Sequence, residues 1–284
     1  AQAKTAFHTL VQHGKRSEKV LELSTLPSLN LDHEHLTSEN MHPVIIKGAT
    51  AGSVTAHNAT IDVPVVFRNC EVDQVDFSNA QFTHDVEFTD STFGTFRAEE
   101  TRFEQDADFT GSVFRDRAEM DEALFADDAR FRDVTFDSAC LFRLATFDGS
   151  SNELDDNVDF SETVFHGPAR FDKTEFGCAT FANCTAAEEF SFKSAVVSGE
   201  MLFEETTFDG DVSFEHTRFA GQTNFDGATF GGMVTFTRAT VSELCFNSVL
   251  VRERATFYAV HFVEVASFRD ASCNGPVTFD DARF

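Results

Sequence analysis

Phenylalanine recurs through most of this chain at alternating intervals of five and six residues. Between Ser213 and Phe236 the rings stand at positions 214, 219, 225, 230 and 236. All phenylalanines except Phe7, Phe96 and Phe190 fall on one such register, which begins at Phe67. An eleven-residue period can mark a right-handed coiled coil, but this stretch is rich in Gly, Thr, Asn and Asp, which are weak helix formers. The spacing therefore favours a solenoid built from short repeats.

Each repeat has the pattern of a short strand with one buried side. The residue two before a phenylalanine of the register is usually small or β-branched, as at Val212, and the residue between the two is usually polar, as at Ser213. Side chains alternate sides along a strand, so the small and the large residue point inward together. Two or three turn-forming residues follow each phenylalanine. The chain is therefore predicted to turn a corner after every strand and to stack its coils.

Several repeats match a five-residue consensus of the type A(D/N)FXX. The matching units are ADFTG (107–111), ARFRD (129–133), ATFDG (145–149), VDFSE (158–162) and ARFDK (169–173). On these units the chain resembles the pentapeptide-repeat family, in an eleven-residue double-repeat variant that looks haloarchaeal. The resemblance implies an all-β solenoid, a right-handed quadrilateral β-helix with four faces per coil.

The extra residue in every second unit is interpreted as a longer corner on alternate sides. Each coil then takes 22 residues, and the chain forms about 11 coils at ~4.8 Å each. Phenylalanines 22 residues apart should stack as a core ladder, since aromatic pairs favour ring centroids ~4.5–7 Å apart. The expected stacked pairs are Phe109 with Phe131, Phe114 with Phe136, Phe203 with Phe225, and Phe208 with Phe230.

The chain divides into two predicted parts. Residues 1–43 lack the repeat and are predicted to form an N-terminal helical cap and a linker, with Thr5 as a helix N-cap. Residues 44–284 form the β-helix. Because the sequence begins without Met and ends on Phe284, the natural protein is expected to continue or to have been cut.

One insertion interrupts the repeats. The segment DGSSNELDDN (148–157) holds two residues more than the register requires and is predicted to protrude as an acidic loop. Solenoids often carry binding residues on such insertions. Its acidic residues are therefore a candidate interaction site: Asp148, Glu153, Asp155 and Asp156.

The chain is strongly acidic, with 48 Asp and Glu against 22 Lys and Arg and a net charge of −26. Acidic residues are spread along the whole chain, and lysine is scarce. This composition resembles that of proteins from salt-rich cytoplasm, where a charged surface maintains solubility. A second interpretation is mimicry of DNA, which carries one charge per ~1.7 Å. Direct nucleic-acid binding is excluded by the sign of the charge.

No catalytic, cofactor-binding or metal-binding motif stands out. The six cysteines lack C-x-x-C spacing, and the histidines of DHEH (32–35) lack the spacing of a helical zinc motif. No apolar run approaches the ~18 residues of a membrane span. The sequence predicts a non-enzyme without cofactor or metal, located in the cytoplasm, unless sequence beyond this chain attaches it to a membrane.

Three functions remain open. The first is a structural or interaction scaffold of a halophile that binds protein partners, with homo-oligomerisation left open. The second is a DNA-mimic regulator of a type II topoisomerase, which some members of the resembled family are. The third is a module of a membrane protein whose spans lie beyond residue 284.

Overall fold

The chain forms a parallel β-helix in which each coil contributes strands to four faces. The computed structural model describes residue 5 and residues 19–22, 25–37, 43–148 and 158–284. Every strand pairing in the described part is parallel and joins one coil to the next, as in Phe93 with Phe114 and Phe114 with Phe136. The predicted all-β solenoid of about 11 coils is confirmed.

The four faces are numbered in chain order. Face 1 contains Lys19–Glu22, Val44–Lys47, Val65–Arg68, Val86–Thr89, Ala107–Asp108, Ala129–Arg130, Val158–Asp159, Ala179–Thr180 and Met201–Leu202. Face 2 contains Val113–Phe114, Thr135–Phe136, Val164–Phe165, Thr185–Ala186, Thr207–Phe208, Thr229–Phe230, Leu250–Val251 and Ser272–Cys273. Face 3 contains Ala118–Glu119, Cys140–Leu141, Ala169–Arg170, Phe190–Ser191, Val212–Ser213, Val234–Thr235, Ala255–Thr256 and Val277–Thr278. Face 4 contains His35–Thr37, Thr60–Asp62, Gln81–Phe82, Arg102–Phe103, Leu124–Phe125, Thr146–Phe147, Glu175–Phe176 and Val196–Val197.

Seven longer strands run through a corner and belong to two faces. Near the N-terminal end they join faces 2 and 3: Thr25–Asn30, Thr50–Thr55, Glu71–Asp76 and Thr92–Arg97. Near the C-terminal end they join faces 4 and 1: Arg218–Asn224, Thr240–Cys245 and His261–Ser267. At these same two corners the other coils carry the extra residue of the six-residue step. The predicted longer corner on alternate sides is therefore present in the structure.

The other two corners, between faces 1 and 2 and between faces 3 and 4, are tight turns with one residue in the left-handed region. At Asn79 φ is 59°, and the N–H of Ala80 donates to the carbonyl of Phe77 at 2.8 Å to close the turn. Glycine adopts this conformation without strain, yet only Gly48, Gly111 and Gly227 do so among the described glycines. Most of these turns instead use non-glycine residues, which inter-coil hydrogen bonds hold in place.

The predicted length of 22 residues per coil holds for some coils but not for all. A coil whose straight corner is a six-residue strand is one residue shorter than the others: Val65 pairs with Val86 across such a coil, whereas Ala107 pairs with Ala129. The seven-residue strands Arg218–Asn224 and His261–Ser267 lie in coils of full length. The coil that contains the insertion is much longer, since Ala129 pairs with Val158. The insertion therefore adds several residues more than the register suggested, and its predicted length was wrong.

The predicted N-terminal helical cap is not supported. Three strands lie in its range, and Lys19–Glu22 pairs in parallel with Val44–Lys47. Parallel coil pairing thus begins at Lys19, before the predicted boundary at residue 44. The strands in this range went unrecognised because leucines such as Leu31 and Leu36, and no phenylalanines, are the buried residues there. The helix predicted to start at Thr5 lies largely outside the described residues.

Phenylalanine rings fill the interior as stacked columns. In the four stacked pairs named from the sequence, ring centroids lie 4.7, 4.9, 4.8 and 5.0 Å apart, and planes are within 14° of parallel. Where the register places Ala186 between Phe165 and Phe208, the ring of Phe190 fills the gap. Its centroid lies 5.3 Å from that of Phe165 and 5.1 Å from that of Phe208. A ring supplied from a neighbouring position thus conserves core volume.

Buried hydroxyls form a second ladder beside the rings. Inward-facing serine and threonine residues just after the tight turns donate to the carbonyl of a phenylalanine in the preceding coil. Thr174 donates from Oγ1 to the carbonyl of Phe142 at 2.6 Å, and Thr101 donates likewise to Phe77 at 2.7 Å. Thr223 differs because its buried Oγ1 has no hydrogen-bond partner. Sequence reasoning classed all of these residues only as small.

Truncating one ring should destabilise the rod strongly. Phe131 is fully buried and stacks on Phe109 and Phe160 at 4.7 and 4.6 Å. We expect Phe131→Ala to cost ~3–5 kcal/mol, as for other buried phenylalanines. The adjacent Arg132→Ala should cost at most ~1 kcal/mol, because Arg132 makes only an exposed ion pair. Urea denaturation of both variants measures the difference, and equal costs would contradict the assigned register.

Two threonine-to-valine variants test the hydroxyl ladder, and we expect opposite effects on the free energy of unfolding. Thr174→Val keeps the shape but removes a donor to a buried carbonyl, and we expect a loss of ~1–2 kcal/mol. Thr223→Val should be neutral or stabilising, since its hydroxyl is already buried without a partner. Both free energies of unfolding come from the same denaturation series. A larger loss for the Thr223 variant would show that the hydroxyl ladder contributes no stability.

Candidate interaction surface

The acidic loop predicted from the sequence is only partly described. Asp148 is exposed, and its backbone N–H donates to the carbonyl of Phe125 at 2.9 Å, so it still belongs to the coil. Glu153, Asp155 and Asp156 lie outside the described residues. The eight ladder phenylalanines are at most 1% exposed. Those rings support the surface but cannot contact a partner, so a site must be found among the outward positions.

Face 2 carries an uncharged stripe along most of the rod. The stripe consists of the outward residue that precedes the inward anchor in nine consecutive coils. Its members are Thr92, Val113, Thr135, Val164, Thr185, Thr207, Thr229, Leu250 and Ser272. Each pairs in register with the next. Thr185 and Ser272 are exposed and the others are half-buried. Together they form a flat row of methyl and hydroxyl groups.

The corresponding columns on the other faces are interrupted by charge. Face 1 presents Glu87, Asp108, Arg130 and Asp159 at these positions. Face 3 presents Arg97, Glu119 and Arg170, and face 4 presents Arg102, Glu175 and Arg218. Since the chain as a whole carries 25% charged residues, nine neutral positions in one column set face 2 apart. Charged side chains at the adjoining corners border the stripe on both sides.

Charge is distributed unevenly along the rod. Residues 44–217 hold 36 acidic and 12 basic side chains, a net charge of −24. Residues 218–284 hold seven acidic and six basic side chains, a net charge of −1. The rod therefore has a strongly acidic body and a nearly neutral C-terminal part.

Arginines in the acidic body pair with acids of their own coil or of coils one or two turns away. The pairs include Arg97 with Glu119 at 3.0 Å and Arg115 with Glu71 at 2.7 Å. Arg132, Arg143 and Arg170 are also paired. In the C-terminal part, by contrast, no ion pair is found for any arginine after residue 217 among the described residues. These arginines are Arg218, Arg238, Arg252, Arg254, Arg269 and Arg283.

Exposed apolar side chains concentrate in the same C-terminal part. Val263 and Val265 are 51% and 63% exposed on the strand His261–Ser267, and Tyr258 is 38% exposed at the preceding corner. Low net charge together with exposed apolar groups is typical of surfaces that bind other proteins. The acidic body, with Leu144 as its main exposed aliphatic residue, lacks such a concentration in its described residues.

One acidic cluster has the composition of a metal site. Carboxylate oxygens of Asp106, Asp127 and Asp128 lie within 4.8 Å of one another. Arg130 forms ion pairs with Asp106, at 2.9 Å, and with Asp128. The guanidinium thus supplies the positive charge that a cation would bring, and the pairing raises the pKa of Arg130 despite its partial burial. We assign no metal to this cluster.

The buried cysteines Cys140 and Cys184 have weakly acidic thiols. Burial raises the pKa of the Cys184 thiol to about 12, and raises the pKa of the Cys140 thiol well above its usual value. The Cys184 thiol donates to the carbonyl of Phe160 at 2.8 Å, as the ladder hydroxyls do. Both thiols are therefore protonated at neutral pH, a form in which a thiol is a poor nucleophile.

The repeats match a known family model along most of the rod. A model for pentapeptide repeats, in nine copies, matches residues 51–92, 98–146, 153–196 and 192–240. These segments cover more than half of the chain. The chain belongs to the pentapeptide-repeat family. The unmatched residues between 146 and 153 coincide with the start of the insertion that enlarges one coil.

Comparison with other proteins adds little beyond the family. No curated protein matches this sequence. Among solved structures, HetL of the cyanobacterium Nostoc sp. strain PCC 7120 matches with 13% identity. HetL is a pentapeptide repeat protein involved in heterocyst differentiation regulation; the match covers 92% of this chain and 87% of HetL, with a TM-score of 0.24. At that score the likeness carries no argument about function.

No helix among the described residues is long and apolar enough to cross a membrane.

The uncharged stripe was not predicted from the sequence, because coils of unequal length place its members at irregular intervals along the chain. The signal was nevertheless present: the residue before every fourth anchor is Thr, Val, Leu or Ser from Thr92 onward.

Proposed function

We propose that this protein is a non-enzymatic scaffold of the pentapeptide-repeat family that binds partner proteins on the flat surface of face 2. The uncharged stripe from Thr92 to Ser272 carries the proposal. Contact with a partner removes water from surface groups, and desolvating a charge costs much more than desolvating a methyl or hydroxyl group. A column without charges on a highly charged rod is therefore the surface that a partner can cover at the lowest cost.

The rigidity of the rod supports this role. Inter-coil hydrogen bonds and ring stacks hold the stripe residues at a regular ~4.8 Å spacing, so little conformational entropy is lost when a partner docks. Acids at the bordering corners, such as Asp209 and Glu205, set the rim. We infer that protein partners of face 2 carry a small apolar or hydroxyl-bearing centre with basic residues at its edges.

Site-specific crosslinking tests the proposed surface. A photo-reactive phenylalanine analogue at Thr207, on face 2, should crosslink to a different protein in the cells that make this chain. The same analogue at Arg218, on face 4 of the same coil, serves as the matched control and should give little or no product. Thr185→Arg and Thr229→Arg, which place charges on either side of position 207, should reduce the product about tenfold or more. Equal products at 207 and 218 would contradict the proposal, and crosslinks between two copies of the chain do not count toward it.

We further propose that the acidic body reflects adaptation to high salt. Crowded carboxylates repel one another on a narrow rod, and salt weakens this repulsion because the Debye length falls from ~10 Å at 0.1 M to ~3 Å at 1 M. The alternative is DNA mimicry toward a type II topoisomerase. The net charge of −24 on residues 44–217 supports that alternative, since these eight or so coils span ~40 Å at ~4.8 Å each. The cross-coil arginine pairs weigh against it, because they interrupt the negative surface.

Thermal stability as a function of salt separates these two interpretations. We expect the melting temperature to rise by about 10 °C or more between ~0.1 M and ~2 M KCl, because screening removes self-repulsion in the folded state. Circular dichroism at a single pH provides the measurement. A melting temperature that stays constant over this range would contradict the salt adaptation and favour DNA mimicry.

A further inference from the structure

The corner between faces 2 and 3 carries opposite charges on two coils separated by a third. Asp209 and Asp211 lie on one coil, and Arg252 and Arg254 occupy the equivalent positions two coils later. All four side chains are exposed, and none has an ion-pair partner among the described residues. Elsewhere on this rod, arginines close to carboxylates pair with them. Here the acids and the arginines lie two coils apart and form no ion pair, whereas Arg115 reaches Glu71 across one intervening coil.

That intervening coil presents no charged side chain at this corner. It contains Gly231 and Gly232, followed by Met233. A Cβ on Gly232 would lie 2.8 Å from the carbonyl of Gly210, and a Cβ on Gly231 would lie 2.9 Å from the carbonyl of Asp209. Close packing on the coil below therefore requires both glycines. The corner is consequently uncharged midway between the acidic and the basic coil. The half-buried Met233 lies between Asp211 and Arg254 there, and its backbone N–H donates to Oδ1 of Asp211 at 2.8 Å.

We propose that this corner and the adjoining part of face 2 bind a second copy of the chain in antiparallel orientation. The two-fold axis passes through the coil of Gly231 and Gly232 and runs parallel to its strands. Each coil on one side of this glycine coil then faces, in the other copy, the coil that lies equally far on its opposite side. Column positions are retained, so Asp209 of one copy faces Arg252 of the other and Asp211 faces Arg254. The symmetry repeats both contacts, as in any isologous interface, and creates four ion pairs.

The remaining positions of this surface are compatible with the same arrangement. Glu253 faces Gly210, Thr207 faces Leu250, and Thr185 faces Ser272. On the outer coils the opposed pairs are Ala187 with Asn274, Glu188 with Gly275, and Glu189 with Pro276. The single like-charge contact joins Asp226 of one copy to Asp226 of the other, at the corner between faces 1 and 2. In a chain with more than twice as many acids as bases, this degree of complementarity points to a second copy as the occupant.

The uneven charge along the rod selects the antiparallel orientation. The overlap covers five coils, of which the first two are the last coils of the acidic body and the other three belong to the nearly neutral C-terminal part. The rest of each acidic body extends beyond the overlap in opposite directions. A parallel pair would place two bodies of net charge −24 side by side, and like charges so juxtaposed would oppose association.

The expected dimer is weak. Five coils at ~4.8 Å give a contact ~24 Å long and one face wide, which lies near the low end of specific interfaces. We expect a dissociation constant on the order of 10 μM at ~0.1 M salt. This inference rests on the proposed function only in treating face 2 as a docking surface. It names a second copy of the chain as the partner of the C-terminal part of face 2.

Charge reversal on the full chain tests the arrangement, with sedimentation velocity as the readout. The variant with Asp209→Arg and Asp211→Arg, and the variant with Arg252→Asp and Arg254→Asp, should each raise the dissociation constant about tenfold or more at ~0.1 M salt. An equimolar mixture of the two should form a heterodimer at least as tight as the wild-type dimer. The chain that carries all four substitutions should again self-associate. At ~1 M salt the difference between wild type and each variant should shrink.

Matched controls make equal charge changes elsewhere. Glu100→Arg with Glu122→Arg, at the corner between faces 3 and 4, and Arg218→Asp with Arg238→Asp should leave the dissociation constant within about twofold of wild type. Circular dichroism verifies that every variant is folded. Wild type that remains monomeric at ~100 μM, or reversals no more disruptive than the controls, would overturn the inference. Crosslinks from position 207 to another protein would still support the proposed function, so the two failures are distinguishable.

Discussion

Stacking of phenylalanine rings at the spacing of adjacent coils is the constraint on which the rest of this structure depends. Parallel strands lie ~4.8 Å apart, and the stacked rings lie between 4.6 and 5.6 Å apart over most of the rod. The two distances agree, so each ring satisfies its packing with the ring above and below without bending the backbone. A tyrosine or tryptophan in the same column would bury a polar atom with no partner, which accounts for the absence of tryptophan and the single tyrosine.

This core leaves the outward positions free to carry function. Every inward residue contributes to a column whose size and polarity are restricted, whereas the residue between two inward positions contacts mainly its equivalents in neighbouring coils. A property such as charge can therefore vary by column and along the axis. The neutral stripe of face 2, the cross-coil arginine pairs and the charge difference between residues 44–217 and 218–284 are three expressions of that freedom.

The repeat register predicted the core but not the surface. Large rings at steps of five and six placed Phe109 over Phe131 from spacing alone, because inward positions repeat with a strong chemical signal. Coils near the N-terminus escaped recognition, since residues such as Leu36 and Ile61 occupy the column of the anchor Phe82 there. The length of the insertion was also misjudged, because counting along the sequence cannot distinguish a skipped unit from an enlarged corner. The stripe and the opposed charges near Gly231 depend on which residues meet across coils of unequal length.

The enlarged coil shows how readily this fold accepts additional sequence. Phe131 and Phe160, which flank it on face 1, stack at 4.6 Å with planes 3° apart, and on face 4 Phe147 and Phe176 stack at 5.0 Å and 1°. These are among the most nearly parallel ring pairs in the described part of the molecule, although the inserted segment lies between Phe147 and Phe160. The corner after Phe147 is thus a natural attachment point, where evolution can add a binding segment, or an engineer a foreign peptide, while the solenoid on either side stays in register.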